Sequence, residues 1–146
     1  MPTFSLHHRV TDFLGRQIAW SEGVLAELDA FCHAGDAADV EAHLAQQEVR
    51  ARESNELARE YAGLASEWAR GADVPPGARE EIARLSSVSE ELLGRVQAGY
   101  ARAETVVAAL RDRNREAQAD LRRGRRSVTI YTPPNLEPPG FLDTDA

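Results

Sequence analysis

The residues best suited to chemistry form one short cluster between positions 32 and 43. It offers a thiol, two imidazoles and two carboxylates, from Cys32, His33, Asp36, Asp39 and His43. Zinc needs three or four such ligands converging on one point, and only Asp39 and His43, four residues apart, could share a helix face. Cys32 falls on an apolar stripe, and the acidic residues follow a break at Gly35. We interpret the cluster as a core cysteine with solvated polar neighbours and expect no metal site.

Other patterns that carry catalysis are missing from the sequence. It contains no Glu-x-x-His pair of the kind that builds di-iron sites. It also lacks a nucleophile elbow, a P-loop and a glycine-rich dinucleotide motif. Glutamates and arginines interleave between positions 48 and 67, as they do on an ordinary solvated helix surface. We therefore expect no enzyme activity and no cofactor.

Charge and composition limit the partners and the compartment. The net charge of the 146 residues is −7, which argues against nucleic acid as the main partner. All 17 basic residues are arginine, which is typical of a GC-rich, bacterial genome. The single cysteine cannot form an internal disulfide, no apolar run is long enough to span a membrane, and the N-terminus lacks a secretory signal. We expect a cytoplasmic protein with no membrane insertion.

The elements that would position these residues are long helices, because apolar residues recur alternately every four and three positions. A first helix is predicted for about 11–34, with two adjacent apolar rows that suggest more than one packing partner. A second is predicted for 36–70, and the sequence leaves open whether it continues the first through Gly35. Its expected inward stripe is Val40, Leu44, Gln47, Ala51, Ser54, Ala58, Tyr61, Ala65 and Trp68.

A proline-rich loop ending near Gly77 precedes the last helix, predicted for 77–124. Short connections between long helices favour antiparallel neighbours. Residues 1–124 are therefore expected to form an all-α, elongated antiparallel helical hairpin or coiled-coil bundle. Residues 125–146 change character, because two Pro-Pro pairs impose extended backbone. We predict an irregular tail there, with apolar docking elements at Ile130, Tyr131, Leu136, Phe141 and Leu142.

The predicted inward stripes are unusually small and polar. They contain Ser21, Gln47, Ala51, Ser54, Ala58, Ser89, Gly99 and Ala103. Little apolar area can be buried by such residues, at about 25 cal/mol per Å². The helices should be marginally stable, with room for another helix to complete them. A homodimer would satisfy the same requirement.

This layout resembles the FlgN-like family of flagellar export chaperones. The resemblance rests on Gly35-Asp36 before a long second helix, a Gly/Pro loop, a longer last helix ending at Gly124, and a tail containing Tyr131. It also rests on the closing Phe141-Leu142-Asp143-Thr144-Asp145-Ala146, which is similar to the aromatic/aliphatic-Asp-x-x-Ala ending of many members.

The resemblance implies a cytoplasmic chaperone that holds helical termini of hook–filament junction proteins, FlgK-like or FlgL-like, before type III export. It also implies docking on an FlhA-like export gate through the tyrosine after the last helix, so Ile130 and Tyr131 are the gate-docking candidates. The client-binding candidates are on the last helix, at Val96, Val106, Val107 and Leu110. A non-catalytic coiled-coil scaffold or homodimeric adaptor is the alternative function.

Overall fold

The computed structural model describes residues 5–71 and 73–131, with backbone alone at 127–131. Three long helices account for most of these residues: α1 (Leu6–Ala34), α2 (Val40–Ala69) and α3 (Pro76–Tyr131). A single 3-10 turn, Gly35–Ala37, joins α1 to α2. No strand occurs in this part of the chain, so the predicted all-α class is confirmed.

α1 begins at Leu6, five residues before the predicted start at 11. The extra turn forms because Leu6 and Val10 extend the apolar face and pack against the cluster of Phe13, Leu14 and Leu64. Burial of an amphipathic face contributes more to helix stability in a protein than a good N-cap does.

α1 and α2 are separate helices, because the turn between them interrupts the helical backbone. Gly35 has φ +53°, a left-handed conformation that other residues adopt only at a cost, and α1 ends there. The predicted start of the second helix at Asp36 is wrong, because Asp36 belongs to the 3-10 turn and α2 begins at Val40. Asp39 caps α2 instead, and its carboxylate accepts a 3.0 Å hydrogen bond from the backbone N–H of Ala42.

α3 continues to Tyr131, so the predicted helix end at Gly124 and the start of an irregular tail at 125 were wrong. A glycine inside a helix costs only about 1 kcal/mol, and Val, Thr and Ile are only slightly poorer helix formers than their neighbours. The predicted docking elements at Leu136, Phe141 and Leu142 lie outside the described residues.

The chain divides into two compact units, Met1–Val107 and Ala108–Ala146. In the first unit α1 and α2 run antiparallel, since Arg9 contacts Glu67 near one end and Glu27 contacts Arg50 towards the other. α3 runs parallel to α1, because Ser89 donates to Gln17 (2.8 Å) and Arg102 donates to Asp29 (3.2 Å) further along both helices.

Two apolar clusters form the core of this unit. The larger one joins the middle and end of α1 to α3, through Val24, Leu25, Leu28, Phe31, Leu92, Val96 and Ala103. The smaller one joins the start of α1 to the end of α2, through Phe13, Leu14 and Leu64. Both predicted rows of α1 contribute to the core, and each cluster contains residues of both.

The inward face of α2 differs from the predicted stripe. Leu44, Ala51, Ala58 and Tyr61 were expected to face inward, but all four are exposed. The buried residues are His43 and Leu64, and Arg50 turns inward to pair with Glu27. The stripe was misplaced because two of these inward positions carry polar side chains that periodicity counts as surface.

The second unit contains the C-terminal part of α3. Every residue from 111 to 126 is exposed, including Leu121 at 63%. Arg123 pairs with Asp120 one turn earlier, a contact that adds only a few tenths of a kcal/mol to a helix. Helix formation here depends mainly on the high helix propensity of its Ala, Arg, Glu and Leu residues.

Candidate binding cleft

The predicted client-binding residues differ in their exposure to solvent. Val96 is only 4% exposed and belongs to the larger apolar cluster. Val106 and Val107 are partly buried and pack against the edge of that cluster. Leu110 is half-buried and belongs to the second unit. Val96 is therefore a core residue of the first unit, and client binding by these four residues stays a prediction.

The predicted gate-docking residues, Ile130 and Tyr131, are the last two residues of α3. Their backbone is helical, whereas the sequence predicted that both lie in an extended tail. Their side chains lie outside the described part of the chain, so gate docking stays a prediction.

The polar cluster at 32–43 is dispersed. Cys32 is half-buried against the larger apolar cluster, Asp39 caps α2, and His33 is exposed. His43 is 8% exposed and stacks on Phe31, with ring centroids 3.9 Å apart and planes at 14°. Within residues 5–71 and 73–126 no group of three His, Cys, Asp or Glu side chains could hold a metal ion.

The most promising binding feature is an apolar cleft where all three helices meet, near the loop before α3. Its volume is about 290 Å³, and its lining contains no charged side chain. The cleft is lined by Val10, Phe13, Leu14, Tyr61, Leu64, Ala65, Trp68, Ala69, Ile82 and Ser86. We call this the three-helix cleft. Its size and apolar lining suit one or two large apolar side chains of a partner.

Tyr61 forms the exposed side of the three-helix cleft. Its ring is 60% exposed and lies 6.0 Å from the buried ring of Phe13, tilted by 36°. Trp68, about two turns later, is half-buried. Exposed and half-exposed aromatic side chains beside an apolar floor are enriched at protein–protein contacts.

Charged pairs border this region on the α1–α2 side. Arg9 pairs with Glu67 at 2.5 Å, and Arg16 pairs with Glu60 and with Asp12. The hydrogen bonds from Arg16 lower the pKa of the Glu60 carboxyl. These pairs are largely exposed, so each contributes little stability. Their main effect is to fix the register of α1 against α2, which holds the cleft walls in place.

Polar atoms without partners interrupt the core of the first unit. The Ser21 hydroxyl, the Trp20 Nε1 and both side-chain polar atoms of Gln47 are buried with no hydrogen-bond partner among the described residues. Each buried polar group left unpaired costs roughly 1–3 kcal/mol. The predicted small, polar inward residues thus include real sites of lost stability, at Ser21 and Gln47.

Residues of the cleft can be predicted from the sequence only in part. Tyr61 and Trp68 belong to the predicted inward stripe of α2, which indicates core residues. Which of these residues would remain open to solvent depends on the distance between helices, and periodicity carries no information about that distance.

No helix among the described residues is long and apolar enough to cross a membrane. Comparisons with known protein families, with curated proteins and with solved structures found no match to this chain.

Proposed function

We propose that this chain is a non-catalytic protein that binds an amphipathic helix of a partner, and that the three-helix cleft receives an apolar side chain of that helix. The observation that carries the proposal is the cleft itself, an apolar cavity with the exposed Tyr61 at its edge. Helices commonly dock by placing apolar residues, spaced three and four apart, into such grooves.

The core energetics support this function. Unpaired polar atoms at Ser21 and Gln47 weaken the first unit in isolation. A partner helix that buries apolar surface against it would add stability in proportion to that area. A binding protein of this kind gains stability from its client by mass action.

The FlgN-like resemblance supplies a specific version of the proposal. In it the chain is a cytoplasmic export chaperone, its clients are the terminal helices of hook–filament junction proteins, and Ile130 and Tyr131 dock on an FlhA-like export gate. The exposed part of α3 supports an extended, coiled-coil type of contact with such partners. A Tyr131→Ala protein that bound the gate with unchanged affinity would refute the gate assignment.

The client assignment is tested by isothermal titration of the full chain with synthetic peptides copying the terminal helices of hook–filament junction proteins from the same genome. Tyr61→Ala should weaken peptide binding about tenfold, because it removes an aromatic contact. Val88→Ala is the matched control, since Val88 is another exposed apolar residue outside the cleft. Equal affinity of both variants and the parent would exclude the cleft as the binding site.

The scaffold alternative is favoured by one observation, the exposed apolar face of α2. It predicts no peptide binding at all, together with self-association of the chain. Peptide binding and self-association are measured separately, so a helix-binding protein can be distinguished from a scaffold.

A further inference from the structure

The exposed face of α2 combines an apolar stripe with an ordered row of charges. Leu44, Ala51, Ala58 and Tyr61 are spaced by seven, seven and three residues and are all exposed, Leu44 at 56%. We call these four residues the α2 stripe. The two alanines between larger end residues would let another helix approach closely.

Beside the α2 stripe, on its outer flank, lies the row of charges. Glu41 and Glu48 occupy the N-terminal half of this flank, and Arg52 and Arg59 occupy the C-terminal half. A 100° rotation per residue places all four within one narrow sector of the helix. All four are exposed, and none makes an ion pair with another residue in the part of the chain that the structure describes.

The row of charges on one α2 helix is complementary to the same row on a second α2 helix that runs in the opposite direction. In an antiparallel pair of identical helices related by a two-fold axis, the same flank of each copy faces the other. With the axis near Ala51, Glu48 of one copy faces Arg52 of the second, and Glu41 faces Arg59. The charged pairs centre on position 50, and Leu44 against Ala58 of the second copy centres on Ala51, so apolar and charged contacts agree on the alignment to within one residue.

We propose that the α2 stripe binds a second copy of this chain, forming a symmetric dimer in which two α2 helices pack antiparallel around Ala51. The paired segment, residues 41–61, is about 30 Å long. One pair of helices over that length gives a small interface, so the dimer should dissociate at micromolar concentrations. This inference does not depend on helix binding by the three-helix cleft.

Sedimentation equilibrium of the full chain tests the proposal by charge reversal. Glu41→Arg/Glu48→Arg and Arg52→Glu/Arg59→Glu should each weaken self-association at least about tenfold, because every facing pair becomes like-charged. Mixing the two double variants should restore a dimer, now with one copy of each. Glu90→Arg/Glu91→Arg, an equal charge change on exposed residues of α3, is the control and should leave self-association unchanged.

Cross-linking tests the register. In a Cys32→Ser background, Ala51→Cys should form a disulfide-linked dimer under mild oxidation, because a residue on the two-fold axis meets its own copy. Ala98→Cys, an exposed position on α3, should not. A parent chain that stays monomeric throughout the micromolar range overturns the proposal. A dimer whose affinity is unchanged by the charge reversals overturns it as well, and neither result by itself refutes peptide binding by the three-helix cleft.

Discussion

Two buried serines in the first unit should respond in opposite ways to the same substitution. Ser21 is fully buried, and its hydroxyl has no partner among the described residues. Ser89 is 3% exposed and donates a 2.8 Å hydrogen bond to Oε1 of Gln17. Both lie in the interior of long helices, so replacement by alanine gains about 0.5 kcal/mol of helix propensity in either case.

The hydrogen bond decides the sign of each effect. Ser21→Ala removes a desolvated hydroxyl and should stabilise the protein by about 1–2 kcal/mol. Ser89→Ala loses a hydrogen bond and leaves the Gln17 amide oxygen unpaired, so it should destabilise by about 0.5–1 kcal/mol after the propensity gain. In a unit of this size, that difference corresponds to a separation of roughly 10 °C in melting temperature.

Urea unfolding followed by circular dichroism measures both free energies of unfolding. The slope with denaturant should stay constant, so that a shift of the midpoint reports stability alone. Ser87→Ala, at an exposed position of α3, gives the propensity gain by itself. If Ser21→Ala were destabilising, or if both buried variants moved together, the assignment of an unpaired hydroxyl in the core would be wrong.

Three further predictions concern the turn between α1 and α2 and its surroundings. Burial lowers the pKa of His43 below its unfolded value of 6.5. The unfolded chain therefore binds more protons below pH 6.5, so the free energy of unfolding should fall as pH drops from 6.5. In urea titrations at successive pH values, the His43→Leu variant should lose this dependence of the free energy of unfolding on pH. The same dependence on pH in the variant and the parent would contradict the assignment to His43. Asp39→Ala should lower the free energy of unfolding by about 1 kcal/mol through loss of the N-cap. Asp39→Asn should keep most of this stability in the same assay, because asparagine also caps helices. Gly35→Ala should destabilise by about 1 kcal/mol or more because of the positive φ. Gly15→Ala, in the open interior of α1, should stabilise by about 0.5–1 kcal/mol, and matching signs for the two glycines would refute the turn geometry.

The number and approximate extent of the helices could be predicted because each depends on local information. The four-three spacing along α1 and the break at Gly35 correspond to what is observed. The rotation of α2 could not be predicted, because its buried side includes His43, and Arg50 pairs with Glu27 at a largely buried position. A charged residue turns inward only when its partner is in place, and that partner is 23 residues away.

The end of α3 and the position of the cleft could not be predicted from the sequence for a different reason. Val128 to Tyr131 are β-prone only when a neighbouring strand is present, and the structure continues the helix through them. The three-helix cleft depends on how far Ile82 lies from Leu64 and Trp68, which is set by side-chain packing across three helices. Sequence periodicity identifies faces of single helices, whereas a cleft is a property of their spacing.

The three-helix cleft and the α2 stripe share one residue, which couples helix binding to dimerisation. Tyr61 lines the three-helix cleft and also ends the α2 stripe. A second copy packed along α2 would cover part of the Tyr61 ring, so dimerisation and helix binding should oppose each other. Because such coupling is reciprocal in free energy, a partner helix that dissociates the dimer must itself bind more tightly to Arg52→Glu/Arg59→Glu, the monomeric variant, than to the parent. The dimer would then protect the exposed apolar stripe until a client replaces it.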